Sequence, residues 1–167
     1  MAHQGPVPEP QLAAARLKER LYATITMISV VIGLAYAAHA DAPGAAAAVG
    51  ATSVGLWLAS LVADEQAHRV VSGGRTSARE LRRMLYVSSP LLLSAAGPLL
   101  LVGAAGLGLM TLHAALLTAA WVNVAGLFAW GCFGGLRMGG SAAAALLGGA
   151  LDAAIGTAVA LVKALAH

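Results

Sequence analysis

The sequence predicts an all-α integral membrane protein with five transmembrane helices, its N-terminus cytoplasmic and its C-terminus outside. Three observations predict it. Of the 167 residues, 59% are apolar and 10% are charged, where a soluble domain carries about half and about a quarter. Mean hydropathy is +0.80. Apolar runs of about 20 residues, the length that crosses hydrocarbon, alternate with short polar turns, and nine of the ten Lys and Arg residues fall on one side of that alternation. Such a composition excludes a soluble enzyme and a disordered chain. The single cysteine, Cys132, excludes a disulfide scaffold.

Residues 1–10, with Pro6, Pro8 and Pro10, read as a loose tail, and residues 11–167 as one membrane domain. Gln11–Arg20 is a short amphipathic helix leading into a first span at 21–40. Ala38-His39-Ala40 before Asp41 imitates a signal-peptidase site, but the apolar run exceeds the usual signal core of about 7–15 residues. Asp41 to Gly44 is a tight turn. The second span, 45–63, continues into a polar helical end, Asp64 to Arg69. Ser72 to Thr76 breaks that helix, and Ser77 with Glu80 forms an S-x-x-E capping box for the next. The third span lies within 87–107, with a kink expected at Pro98. Gly103 to Gly108 supplies a turn. Thr111 caps the fourth span, 112–133, and Ser141 caps the fifth, 142–162.

Positive charge sets the orientation. Arg16, Lys18 and Arg20 precede the first span. Arg69, Arg75, Arg79, Arg82 and Arg83 separate the second from the third, and Arg137 separates the fourth from the fifth, leaving Lys163 alone on the far side. The positive-inside rule makes the arginine side cytoplasmic. The net charge of +3 therefore points to anionic lipid, contacted by Arg69, Arg75, Arg79, Arg82 and Arg83. No interleaving of basic and aromatic residues marks a nucleic-acid surface. A bacterial-type plasma membrane fits this pattern.

Asp152 falls in the middle of the fifth span, where an ionised carboxylate costs about 2.5–3.5 kcal/mol on insertion scales. It belongs to a stripe of Ala144, Gly148, Asp152, Gly156 and Ala160, small enough for another helix to approach closely. It reads either as a proton- or cation-binding group or as a protonated link between helices. Asn123 is placed at a similar depth and within reach of Asp152. With Ser29, Ser53, Thr26 and Thr52 these groups outline a narrow polar route. Asp64, Glu65 and His68 form a second cluster at the cytoplasmic end of the second span. Their three- and four-residue spacings put pairs on one helix face, able to share a divalent metal ion, although a solvated polar helix end explains them as well. His39 and His113 sit near the outer ends of their spans. Gly131 and Gly135 have the spacing of a helix-contact pair.

The five-span plan and local sequence resemble the vacuolar iron transporter family. Ser60, Leu61 and Glu65 occupy the places of that family's S-M-x-x-x-E pattern. Ala125 to Arg137, followed by Ser141 to Gly156, is similar to its last hairpin, and Ile25 to Gly33 to its first span. The chain lacks the family's cytoplasmic metal-binding domain between spans two and three. Tyr22 and Ala23 stand where the family has an intramembrane Asp. The resemblance implies a homodimer and carries over Glu65 alone as a site residue.

These readings converge on a small transporter or channel for a proton or small cation, with Asp152, Asn123, Ser29 and Ser53 on the route and Asp64, Glu65 and His68 as its port. The alternative is a non-transporting adaptor or assembly subunit held by small-residue packing. No Ser-Lys dyad or H-E-x-x-H motif suggests an enzyme.

Overall fold

The computed structural model describes residues 9–73, 76–137 and 139–166. These fold into α1 (Glu9–Ala35), α2 (Ala42–Ser72), α3 (Ala78–Leu93), α4 (Ala96–Gly106), α5 (Leu112–Arg137) and α6 (Ala142–Leu165), with no strand among the described residues. Because α3 and α4 continue one another, the bundle has five rods. Four stretches are long and apolar enough to cross a membrane: Ala42–Val71, Ala78–Gly106, Leu112–Arg137 and Ala142–Leu165. They mark the chain as a membrane protein.

The remaining rod, α1, differs. It starts at Glu9, inside the expected tail, and runs unbroken from its charged half into its apolar half. It stops at Ala35, five residues short of the expected Ala40. Its apolar part, Leu21–Ala35, is about 22 Å long at 1.5 Å per residue, less than the roughly 30 Å of hydrocarbon. Yet α1 is the central helix. It packs against α2, α3, α5 and α6, and Met27, Ile28 and Val31 are 0% exposed. Its end is held from α5, where His113 Nδ1 lies 3.0 Å from the Ala35 carbonyl and the ring meets Tyr36 edge to face.

Local chemistry explains the other boundaries. Asp41 does not close a free turn but caps α2, accepting the Gly44 N–H at 2.8 Å. At the far end of α2, Gly73 adopts φ 64° and donates to the Arg69 carbonyl, as a left-handed helix stop requires. The Ser77–Glu80 capping box forms. Thr111 and Ser141 accept N–H groups at the starts of α5 and α6. The third rod breaks at Ser94–Ala95 rather than at Pro98 itself. Pro98 has no N–H to offer the Ser94 carbonyl, four residues back. Ser94 Oγ donates to the Leu91 carbonyl at 2.6 Å, and the Ala95 N–H turns to Leu92.

The closest packing joins α5 to α6. A methyl group on Gly149 would sit 2.5 Å from both Cys132 Sγ and the Phe128 carbonyl oxygen; one on Gly135 would sit 2.7 Å from Ala145 Cα; one on Gly131 would sit 2.7 Å from Gly149 Cα. The face that α6 presents is Ala145, Gly149, Asp152 and Gly156, not the expected stripe every four residues. Ala144 is exposed, whereas Ala145, Gly149 and Gly156 are buried. Four residues turn a helix by about 40° beyond a full circle, so a strict four-residue stripe rotates away from its neighbour. Alternating steps of four and three keep the contact aligned. Large apolar side chains point outward instead: Leu147, Leu151 and Ile155 of α6 and Val54, Leu58 and Val62 of α2 are exposed. That distribution suits a lipid solvent, where helices associate by close contact rather than by the hydrophobic effect.

Adding a methyl group should therefore have opposite effects at two glycines. Gly149→Ala is expected to lower stability in detergent by about 1–3 kcal/mol, the cost of overpacking. Gly126 faces open space, so Gly126→Ala should be neutral or stabilise by up to about 1 kcal/mol. Thermal unfolding followed by circular dichroism measures both.

Candidate functional site at the basic end

The hairpin geometry decides where the intramembrane polar groups lie. The hairpin sets Gly131 against Gly149 and Gly135 against Ala145. Asp152 lies nearly one turn beyond Gly149, and its side chain leans back toward the start of α6, so that Oδ2 occupies the space beside Gly131. Asn123 is eight residues, about 12 Å of helix, beyond Gly131. The expected pairing of Asn123 with Asp152 does not form. Asn123 Nδ2 donates instead to the Ala119 carbonyl of its own helix at 2.8 Å. Asp152 is partly buried, and among the described residues no hydrogen bond or ion pair reaches its carboxylate.

Three of the remaining route residues turn to their own backbones. Ser53 is buried and donates to Gly50. Thr52 donates to Ala48 and Thr26 to Tyr22. Ser29 is half-buried on α1. A hydroxyl satisfied four residues back on its own helix links nothing to its neighbours. Among the described residues, the side chain–side chain hydrogen bonds, Arg16–Ser89, Arg69–Glu65, Thr76–Glu65, Ser77–Glu80, lie at the arginine-bearing end.

Asp64, Glu65 and His68 share that end, but each faces a different partner. Glu65 accepts from Arg69 Nε at 2.8 Å and from the Thr76 hydroxyl. His68 Nδ1 lies 3.5 Å from Glu80 Oε1, and Glu80 Oε2 accepts from the Ser77 N–H and hydroxyl. Asp64 is partly buried in the field of Lys18 and Arg83. The contacts tie the end of α2 to the start of α3, and no group of three metal-ligating side chains converges among the described residues. Of the five expected lipid-contacting arginines, Arg69 is tied to Glu65, Arg79, Arg82 and Arg83 are exposed, and Arg75 lies outside the described residues.

Sequence reasoning counted Arg16 and Arg20 only as orienting charges. The fold gives them a place. Arg20 stacks its guanidinium 4.0 Å above the Trp130 ring, and Arg16 lies 3.8 Å above Tyr86. Arg20 also lines a cleft of about 230 Å³ between α1, the α3–α4 break and α5, together with Thr24, Ser94, Asn123 and Trp130. Partial burial, and then the Arg16 charge, hold the Arg20 pKa below its ordinary value. The signals available in the sequence were an arginine against the first apolar run and two prolines eight residues apart. Neither names the helix across the cleft.

The chain matches no family model, no curated protein and no solved structure. The Ser77–Glu80 box yields a local prediction. Ser77→Ala removes the acceptor of the Glu80 N–H, so amide exchange in the first turn of α3 should quicken about fivefold, with α5 and α6 unchanged. Hydrogen–deuterium exchange read by mass spectrometry resolves the two regions.

Proposed function

We propose that this chain is a non-transporting membrane subunit, an adaptor or assembly component, whose partly accessible Asp152 meets a helix of a partner. The observation that carries this reading is the state of the polar groups. Thr26, Thr52, Ser53 and Asn123 spend their hydrogen bonds on their own helices, while Asp152 is left without a hydrogen-bond or ion-pair partner among the described residues. A carboxylate in apolar surroundings is stabilised when a neighbouring helix supplies a donor. The seam's small residues are taken up by the contact between α5 and α6, but Asp152 is only partly buried, so part of its side chain stays open to such a helix. The homodimer implied by the family resemblance is one form of this assembly. The arginine-bearing end faces the cytoplasm of a bacterial-type plasma membrane, as the charge asymmetry favours.

One observation favours the second reading, movement of a proton or small cation: the same unpaired carboxylate can bind either. The alignment of the other groups speaks for the first. Asp64, Glu65 and His68 are engaged separately, and the cleft between α1, α4 and α5 carries a guanidinium, which repels cations.

Proteoliposomes carrying an internal pH dye and a divalent-metal dye decide between them. Wild-type vesicles challenged with a pH step, then with manganese or ferrous iron, are expected to match empty vesicles, and Asp152→Asn to behave identically. Flux above empty vesicles that Asp152→Asn abolishes, with the variant still folded, would sink the adaptor reading.

A further inference from the structure

The cleft beside Arg20 has features that the packing of the bundle does not need. A guanidinium offers five N–H donors and no acceptor. Among the described residues the Arg20 guanidinium makes no ion pair and no hydrogen bond, although the Arg20 carbonyl accepts from the Thr24 hydroxyl at 2.8 Å; the contact of the guanidinium is the face of Trp130. The charge that acts on it is that of Arg16, one turn away and of the same sign. The acidic residue beside it in the chain, Glu19, faces Lys18. Arg20 thus lines the cleft with a second arginine one turn away and no carboxylate paired with its guanidinium. An anion is the missing partner.

The rest of the cleft states what kind of anion. From Trp130 to Ala119 its lining spans twelve residues of α5, about 16 Å from end to end. Beyond Arg20 that lining is mostly apolar, with Pro98, Leu101 and Val122 beside Asn123, whose amide is turned to the Ala119 carbonyl. The walls are not closed: Leu93 is 60% and Val122 56% exposed. Both belong to stretches apolar enough to cross a membrane. The cleft therefore opens sideways, onto the surface that lipid covers. A small water-soluble anion would satisfy Arg20 and leave the apolar groove unfilled. An amphiphile satisfies both.

We propose that this cleft is a binding site for one anionic phospholipid, its phosphate on the Arg20 guanidinium and the upper part of one acyl chain against Pro98, Leu101 and Val122. Arg16 adds positive charge one turn away. Trp130 holds the guanidinium flat, so that its N–H edge stays free for phosphate oxygens, the geometry in which arginine binds phosphate best. Ser94 lines the cleft at the break, where its hydroxyl supplies the Leu91 carbonyl with a donor. The site is separate from the exposed arginines at 79, 82 and 83, which meet headgroups only from outside.

Trp130 is the reporter. In a Trp57→Phe, Trp121→Phe background it is the sole tryptophan, and lipids brominated on the acyl chain quench an indole they touch. The protein would be reconstituted with brominated phosphatidylglycerol or brominated phosphatidylcholine, and the ratio of their quenching affinities measured. An anionic site predicts a preference for phosphatidylglycerol of about fivefold, the effect of one arginine near an anionic headgroup. Arg20→Gln should bring the ratio close to one, Arg20→Lys should retain part of it, and Arg82→Gln should leave it intact. Millimolar inorganic phosphate should not reduce the preference. Equal quenching by the two lipids in the unmodified cleft, or a preference that survives Arg20→Gln, overturns the proposal. Competition by free phosphate overturns its lipid half and leaves a site for a soluble anion. Should Arg20→Gln fail to fold, the unmodified protein's ratio still decides.

Discussion

The structure depends on how closely the backbones of α5 and α6 approach. Gly131 and Gly135 on one helix meet Gly149 and Ala145 on the other at distances that exclude even a methyl group. In lipid the environment is as apolar as the helix surface, so burying a leucine gains little, and contact between small residues takes over. Once this hairpin forms, α1 has a two-walled trough to occupy. Gly156 admits Leu127 and Ile28 to the same point, so the seam and the central helix are packed by one set of contacts. Along α6 the small residues Ala145, Gly149 and Gly156 lie within, while Leu147, Leu151 and Ile155 face outward.

The second organising feature is the layer of aromatic rings under the arginines. Tyr86, Trp130 and Phe133 receive Arg16, Arg20 and Arg137. Each guanidinium keeps its charge near the polar end while its stem and plane cover apolar surface, a compromise open to long basic side chains at an interface. Asp152, beside Gly131, lies close in height to this layer, since Gly131 directly follows Trp130. Its carboxylate and the Arg20 guanidinium nevertheless form no ion pair. That separation leaves a carboxyl group beside the seam and a guanidinium in the cleft, neither paired with the other.

Much of the fold was legible because its signals are local. Ser77 and Glu80 specify a capping box within four residues. Gly73 stops α2 through its own dihedral angle, and Thr111 and Ser141 cap within a turn. Where the reading missed, a distant contact had intervened. The end of α1 moved to Ala35 because His113 meets its last turn. The break in the third rod moved to Ser94–Ala95 because proline removes a hydrogen bond four residues away from itself. Asp152 and Asn123 were matched by their positions within separate spans, but a hairpin pairs residues by distance from its turn.

The sequence by itself determined the apolar character and the helical class of this protein. Composition and run length are properties of the chain alone, and no folding changes them. It also determined which groups are chemically exceptional in an apolar chain, Asp152 first among them. Tertiary structure alone decided what those groups face. Whether a carboxylate meets an amide or a glycine, and whether an arginine meets a carboxylate or the rim of a cleft, depends on the rotation and offset of neighbouring helices. Those follow from the packing of alanines and glycines so numerous that no periodicity singles out the ones in contact.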